Sequence, residues 1–207
     1  MSNEEPVPVG SLWNVPNMVT LARIDLTLCC FICLSLGWYG AGLVFFVIAA
    51  GTDWVDGWWA RRYNQITQIG RVLDPFADKL LICGVFTYLA ATPGSDVAPW
   101  MAVVVLGREL LVTALRSFVE SSGGDFSAKQ LGKLKMGWQC VAASLSLLQV
   151  SGWIGARLPG PSLLWNPDSV SIVDISIWIS LVFTVWSGID YLFRVASFVQ
   201  ENASEEH

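Results

Sequence analysis

From Met136 to Ala156 the chain carries no charged side chain. Six stretches share this apolar character: Met18–Leu36, Tyr39–Arg62, Gly70–Thr92, Ala98–Val119, Gly132–Gly152 and Ile172–Val199. Each approaches the roughly 20 mostly apolar residues with which a helix crosses hydrocarbon. Inside a bilayer every backbone N–H and C=O must find a partner within the protein, so such a segment is a helix unless it joins a closed barrel. The expected fold is therefore all-α, a polytopic membrane bundle of six transmembrane helices. Composition agrees, since 54% hydrophobic against 14% charged residues is too little polar surface for a soluble domain of 207 residues.

The basic residues set the orientation. With both termini cytoplasmic, Arg23, Arg61, Arg62, Arg71, Lys79, Arg108, Arg116, Lys129, Lys133, Lys135 and Arg194 fall in or near inner loops, and only Arg157 falls outside. The rule counts Lys and Arg, so the net charge of −5 does not oppose it. Trp13, Trp54, Trp58, Trp59, Trp100 and Trp153 sit near the expected interfaces, as an aromatic belt would. Residues 1–13 and 200–207 read as disordered tails around one domain at 14–199, and MSNEEPVPVG lacks the basic start of a signal peptide. Cys29, Cys30, Cys33, Cys83 and Cys140 all lie in apolar segments and read as free, buried thiols. The single histidine, His207, excludes Ser-His-Asp hydrolysis and two-histidine phospholipase D chemistry.

Against this apolar background, residues 53 to 79 (DWVDGWWARRYNQITQIGRVLDPFADK) concentrate acids. Asp53, Asp56, Gly57, Ala60 and Arg61 are spaced i, i+3, i+4, i+7 and i+8, one stripe of a helix. Gly70, Asp74 and Asp78 recur at i+4 and share a second stripe. A turn at Arg62–Ile69 lets the two stripes meet across a cytoplasm-facing cleft. Four carboxylates gathered near a bilayer repel one another unless some are protonated or a cation sits among them. Oxygen-only donors favour Mg²⁺ or Mn²⁺. Two such ions about 3.5–4 Å apart would support in-line displacement at phosphorus. Gly57 and Ala60 are too small to obstruct a ligand along the stripe, and Arg61 offers a fixed fork for phosphate. Other readings remain at this point. Asp74, before Pro75, is a candidate helix N-cap. Asp53 and Asp56 could pair with Arg61 and Arg62, and intramembrane acids also line cation pathways.

The pattern Asp53-x2-Asp56-Gly57-x2-Ala60-Arg61-x8-Gly70-x3-Asp74-x3-Asp78 resembles the signature of the CDP-alcohol phosphatidyltransferase family at all eight positions. The resemblance implies transfer of a phosphatidyl group from CDP-diacylglycerol to an alcohol, with release of CMP. It implies that Asp53, Asp56 and Asp74 hold two metal ions, and that Asp78 both ligates a metal and acts as the general base. Gly57, Arg61 and Thr67 would contact the CDP-diacylglycerol head, with Ala60 and Gly70 on the same stripes. Asn17 and Thr20, otherwise read as caps of an interfacial helix, would line the nucleotide end of the cleft. The family resemblance also implies a homodimer and a place in the bacterial cytoplasmic membrane among its lipids; no nucleic-acid partner enters.

NVPNMVTLAR (Asn14–Arg23), GREL (Gly107–Leu110), ALRS (Ala114–Ser117) and LGKLK (Leu131–Lys135) look like their counterparts in the bacterial branch that makes phosphatidylglycerophosphate, although Met136 stands where that branch tends to have Thr. The acceptor implied is sn-glycerol 3-phosphate, with phosphatidylglycerol or inositol phosphate as alternatives. Its dianionic phosphate needs cationic donors, and Arg116, Lys133 and Lys135 are the candidates, with Arg108 and Arg23 behind them. Lys129 reads as an anchor. Glu109 and Arg116, two turns apart, could instead pair with each other. Asp25 and Asp190 read as interface or interhelical polar residues.

Overall fold

The computed structural model describes residues 15–63, 68–122, 130–153 and 171–205. Within its helices, the side chains at 15–17, 53–63, 68–72, 74–75, 120–121, 130–133 and 201–205 lie outside that description. Among the described residues there are six helices and no strand: α1 (Val15–Ser35), α2 (Tyr39–Tyr63), α3 (Gln68–Ala91), α4 (Pro99–Ser121), α5 (Gln130–Val150) and α6 (Ile172–Glu205). Each expected apolar segment coincides with one of them. Two carry windows long and apolar enough to cross a membrane, Met18–Ser35 in α1 and Ile172–Gln200 in α6, and α2 contributes the shorter apolar stretch Tyr39–Thr52. The charge-free part of α5 is not among them, because within the helix it runs only from Met136 to Val150, short of a crossing length.

Helix ends differ from the sequence reading in three places. α6 continues through residues 200–205, where a disordered tail was expected, since ENASE contains neither Gly nor Pro to stop it. The expected turn at Arg62–Ile69 is shorter, because Arg62 and Tyr63 complete α2 while Gln68 and Ile69 open α3. α1 starts at Val15, with Pro16 in the first turn where its missing N–H costs nothing. Asn17 and Thr20 are therefore inside a helix rather than capping one.

The chain divides into two compact units, Met1–Gly84 and Val85–His207. In the first, α1 ends at Gly37 (φ 76°), where Trp38 N–H donates to Cys33 C=O at 2.8 Å and Gly37 N–H to Leu34 C=O at 3.1 Å. This is a Schellman cap, and the left-handed residue it needs is glycine. The chain then reverses into α2, which packs on α1. Gly42 permits the approach, since a Cβ there would lie 2.6 Å from Leu34 Cδ2. The Cys30 thiol donates to Gly42 C=O at 3.3 Å across the same seam. α1 also meets α3, where the Phe31 ring occupies the space a side chain at Gly84 would need. Cys30, Leu34, Phe46, Ala49, Ala77 and Leu81 are among its buried apolar residues.

In the second unit α6 packs on α4 and α5. Ser171 and Asp174 cap α6 reciprocally, Ser171 N–H donating to Asp174 Oδ2 at 2.9 Å and Asp174 N–H to Ser171 Oγ at 3.1 Å. Trp138 stacks on Phe183 at 6.4 Å between ring centres, and Trp100 lies 5.8 Å from Trp178 in a tilted pair. The end of α5 is tied to the α3–α4 turn: Ser146 Oγ donates to Ser95 C=O at 2.6 Å, and Gln149 Nε2 donates to Gly94 C=O and to Asp96.

Several helices are polar inside and apolar outside. α1 buries Thr20, Arg23, Thr27, Cys30 and Leu34 on one stripe while Leu21, Leu28, Ile32 and Leu36 are exposed. α6 buries Ser176, Ser180, Thr184 and Ser187 and exposes Val182, Trp186, Ile189 and Phe193. Water as the only solvent disfavours this pattern, whereas hydrocarbon favours it, because polar groups there must turn inward to partners. Many hydroxyls satisfy themselves on the preceding turn, as Thr27 does on Arg23 C=O at 2.8 Å and Thr184 on Ser180 C=O at 2.7 Å. Of the expected belt tryptophans, Trp100 and Trp153 are described, and both are exposed. None of the five cysteines forms a disulfide among the described residues; Cys30 and Cys33 are buried as expected, whereas Cys83 and Cys140 are half-buried and Cys29 is exposed, since it lies one position off the inward stripe of α1.

Candidate active site

The acid motif is carried entirely by helix. Asp53, Asp56, Gly57, Ala60 and Arg61 lie in the last turns of α2, and Gly70, Asp74 and Asp78 in the first half of α3. The spacing that suggested two stripes is therefore realised on α-helical backbone in both. α3 begins at Gln68, so Asp74 stands in the body of the helix and the N-cap reading of Asp74–Pro75 fails. Pro75 brings no N–H, which leaves the carbonyl of Arg71 without its intrahelical donor beside the acids. Among the motif carboxylates only the side chain of Asp78 is described. Thr67 lies outside the described residues, as do the side chains of Asn17, Asp53, Asp56, Gly57, Ala60, Arg61, Gly70, Asp74 and Lys133.

Asp78 is held from α1. Arg23 Nη1 donates to Asp78 Oδ1 at 2.6 Å, the short contact of a charge-assisted bond. Arg23 is only 1% exposed, and Thr20 and Thr27 are buried one turn to either side of it. The sequence makes Arg23 a weaker candidate for acceptor phosphate; in the structure it donates to Asp78. Its place was legible in principle, because Thr20, Arg23, Thr27, Cys30 and Leu34 recur at helical spacing on the stripe that proved to be buried.

A second polar cluster lies in the other unit. Arg108 and Arg116 are two turns apart on the stripe of α4 that also buries Val105, Val112 and Val119. Glu109 Oε1 accepts from Lys135 Nζ of α5 and from Arg108 Nη1, the latter at 3.3 Å. The Lys135 side chain is 5% exposed and that of Glu109 12%. Glu109 thus pairs with Lys135 and Arg108 and not with Arg116, the partner its spacing suggested. Arg108 and Arg116 are near enough for their charges to act on each other. The Nε atoms of both are buried without an acceptor among the described residues. Two cations on one carboxylate and a third acting on Arg108, with buried N–H donors still unmatched, suit an anion. Gly188 of α6 gives Arg108 room, since a Cβ there would come within 3.3 Å of its Cγ. The role of Glu109 in gathering this cluster was not read from the sequence.

Of the remaining polar candidates, Asp190 is bonded within its own helix to Arg194 at 2.7 Å, and Asp25 is exposed.

Residues 13–186 match the CDP-alcohol phosphatidyltransferase family. The chain belongs to that family. The match spans the acid motif and both clusters, and it replaces a cation pathway with an enzyme family as the setting of the aspartates. Among curated relatives, the CDP-diacylglycerol--glycerol-3-phosphate 3-phosphatidyltransferase of Bacillus subtilis is 35% identical over 200 residues, covering 88% of this chain and 95% of its own length. The enzymes of the same name from Rickettsia felis and Escherichia coli are 36% and 31% identical, covering 77% and 87% of this chain and 90% and 93% of their own lengths. The fold is similar to that of the phosphatidylinositol phosphate synthase of Mycobacterium tuberculosis, with a TM-score of 0.58 at 18% identity over 89% of this chain and 90% of that one. At that identity the likeness speaks for the fold alone.

Proposed function

We propose that this protein transfers the phosphatidyl group of CDP-diacylglycerol to sn-glycerol 3-phosphate, giving phosphatidylglycerophosphate and CMP in phospholipid biosynthesis. The observation that carries the reading is the complete eight-position motif standing on helical backbone at the end of α2 and the start of α3, in a chain with full-length relatives of that activity. The proposed setting is a bundle of six transmembrane helices with both termini and the active-site cleft on the cytoplasmic side of a bacterial inner membrane, working as a homodimer.

The donor set fits two divalent ions, Mg²⁺ or Mn²⁺: Asp53, Asp56, Asp74 and Asp78 offer only hard oxygen ligands, with no Cys or His in the motif. When bound, the ions supply charge neutralisation and Lewis acidity at the diphosphate. Gly57, Ala60 and Gly70 leave space for the CDP-diacylglycerol head, and Arg61 and Thr67 donate to it. Asn17 and Thr20 lie toward the nucleotide. Arg108, Arg116, Lys133 and Lys135 hold the phosphate of the acceptor. Asp78 takes the proton from the C1 hydroxyl of sn-glycerol 3-phosphate; the hydroxyl oxygen forms its bond to the β-phosphorus as the bond to CMP breaks. A membrane site suits these substrates, one lipid and one aqueous.

The test is purified protein in detergent with CDP-diacylglycerol, radiolabelled sn-glycerol 3-phosphate and Mg²⁺ or Mn²⁺, followed by lipid extraction. Labelled lipid formed one-for-one with CMP is expected. Labelling from phosphatidylglycerol or inositol phosphate, but not from glycerol phosphate, would reassign the acceptor. CMP release with no alcohol at all would refute transfer.

A further inference from the structure

We infer that Arg23 is a positioning residue for Asp78, fixing from α1 the orientation of the carboxylate that accepts the hydroxyl proton. The inference rests on the reading of Asp78 given under Proposed function.

Three observations carry it. First, the contact is direct and short, Nη1 to Oδ1 at 2.6 Å, so rotation of the Asp78 carboxylate is opposed by a charge-assisted bond. Second, the donor is anchored. Arg23 is 1% exposed on a stripe with Thr20 and Thr27, and α1 itself is seated on α2 at Gly42 and on α3 where Phe31 covers Gly84. A buried group on a packed helix holds its partner more firmly than a surface side chain does. Third, the pair is a poor choice for stability alone. Arg23 lies inside Met18–Ser35, a window apolar enough to cross a membrane. An arginine in such a segment is costly, and a well-packed apolar pair commonly matches or exceeds a buried ion pair in stability. A general base, by contrast, gains from this arrangement, because proton transfer requires alignment within hydrogen-bond reach, and a misplacement of about 1 Å can lower the rate on the order of 100-fold.

The experiment compares Arg23→Lys, Arg23→Met and Asp78→Asn, each purified in detergent and checked for monodispersity and thermal midpoint. Arg23→Met is expected to lower kcat on the order of 100-fold and Arg23→Lys about 10-fold. Both KM values should stay nearly unchanged, as they do when only the transition state is affected. A readout independent of turnover is the spectrum of bound Mn²⁺, recorded by electron paramagnetic resonance with the metal alone. Arg23→Met should alter it in the Asp78 protein and add nothing in the Asp78→Asn background. Wild-type kcat and Mn²⁺ spectrum in both Arg23 variants would overturn the inference. So would a kcat loss that only follows the folded fraction. If Arg23→Met does not fold, Arg23→Lys decides: loss of kcat at a wild-type midpoint supports positioning, and full kcat removes it. Full activity of Asp78→Asn would instead bring down the reading of Asp78 itself, whereas an inactive Asp78→Asn beside active Arg23 variants sinks only the role of Arg23.

Discussion

Asp78 and Glu109 are both carboxylates set among apolar helices, yet their surroundings are unbalanced in opposite senses. Asp78 belongs to a motif of four aspartates on α2 and α3 and is paired with Arg23. Glu109 is outnumbered, taking Lys135 and Arg108 on a single oxygen with Arg116 close by. Where charge is expensive, a local excess of one sign asks for the other from outside. An acid-rich region suits cations and a base-rich region suits an anion, the contrast on which the proposed reaction rests. Each region also depends on a glycine for access: Gly84 admits Phe31 beside the helix that carries Arg23, and Gly188 admits Arg108.

The sharpest way to break this contrast is Asp78→Asn. The reading gives a loss of turnover of about 1000-fold, within the range for removing a general base, with the thermal midpoint retained. Steady-state assays beside a melting curve check both halves, and near-normal turnover would leave the acid-rich region without its assigned chemistry.

Next in size is Lys135→Gln. Losing one charged donor to phosphate costs about 1.5–3 kcal/mol, so the KM for sn-glycerol 3-phosphate should rise roughly 10- to 100-fold while that for CDP-diacylglycerol hardly moves. Equal changes in both constants would contradict a separate anion site.

The glycines test the contrast by packing. Gly84→Ala puts a methyl group into the Phe31 ring, so the fold should lose about 1–3 kcal/mol, read as a lower unfolding midpoint in detergent. Gly188→Ala is gentler. Arg108 must give by only a few tenths of an ångström, and the expected outcome is a stability change under about 1 kcal/mol, read from the unfolding midpoint, with a small rise in the glycerol phosphate KM. A larger effect on CDP-diacylglycerol than on glycerol phosphate would separate Arg108 from the acceptor.

Much of this was legible in the chain. Six apolar segments coincide with six helices among the described residues, because a long run of mostly apolar residues favours a backbone that satisfies its own hydrogen bonds. The acid motif was legible too, since its spacing is a helical period and needs no distant contact to be seen. The errors were of another kind. Asp74 before Pro75 has the local form of an N-cap, but α3 extends past it toward Gln68. Glu109 and Arg116 have the spacing of a pair, yet Lys135 on another helix takes the carboxylate. Residues 200–205 look like a polar tail and remain helical.

By itself, then, the sequence determined which of the described segments become helices, and that four aspartates fall on two successive ones. These are properties of neighbours within a few turns, governed by backbone hydrogen bonding and the apolar length of each stretch. Only the tertiary structure decided partners: that Arg23 reaches Asp78 across 55 positions, and that Glu109 gathers Lys135 and Arg108. Any basic residue could in principle meet any acid, and periodicity is silent on the choice. Packing makes it, by setting which buried stripes of which helices lie within reach of one another.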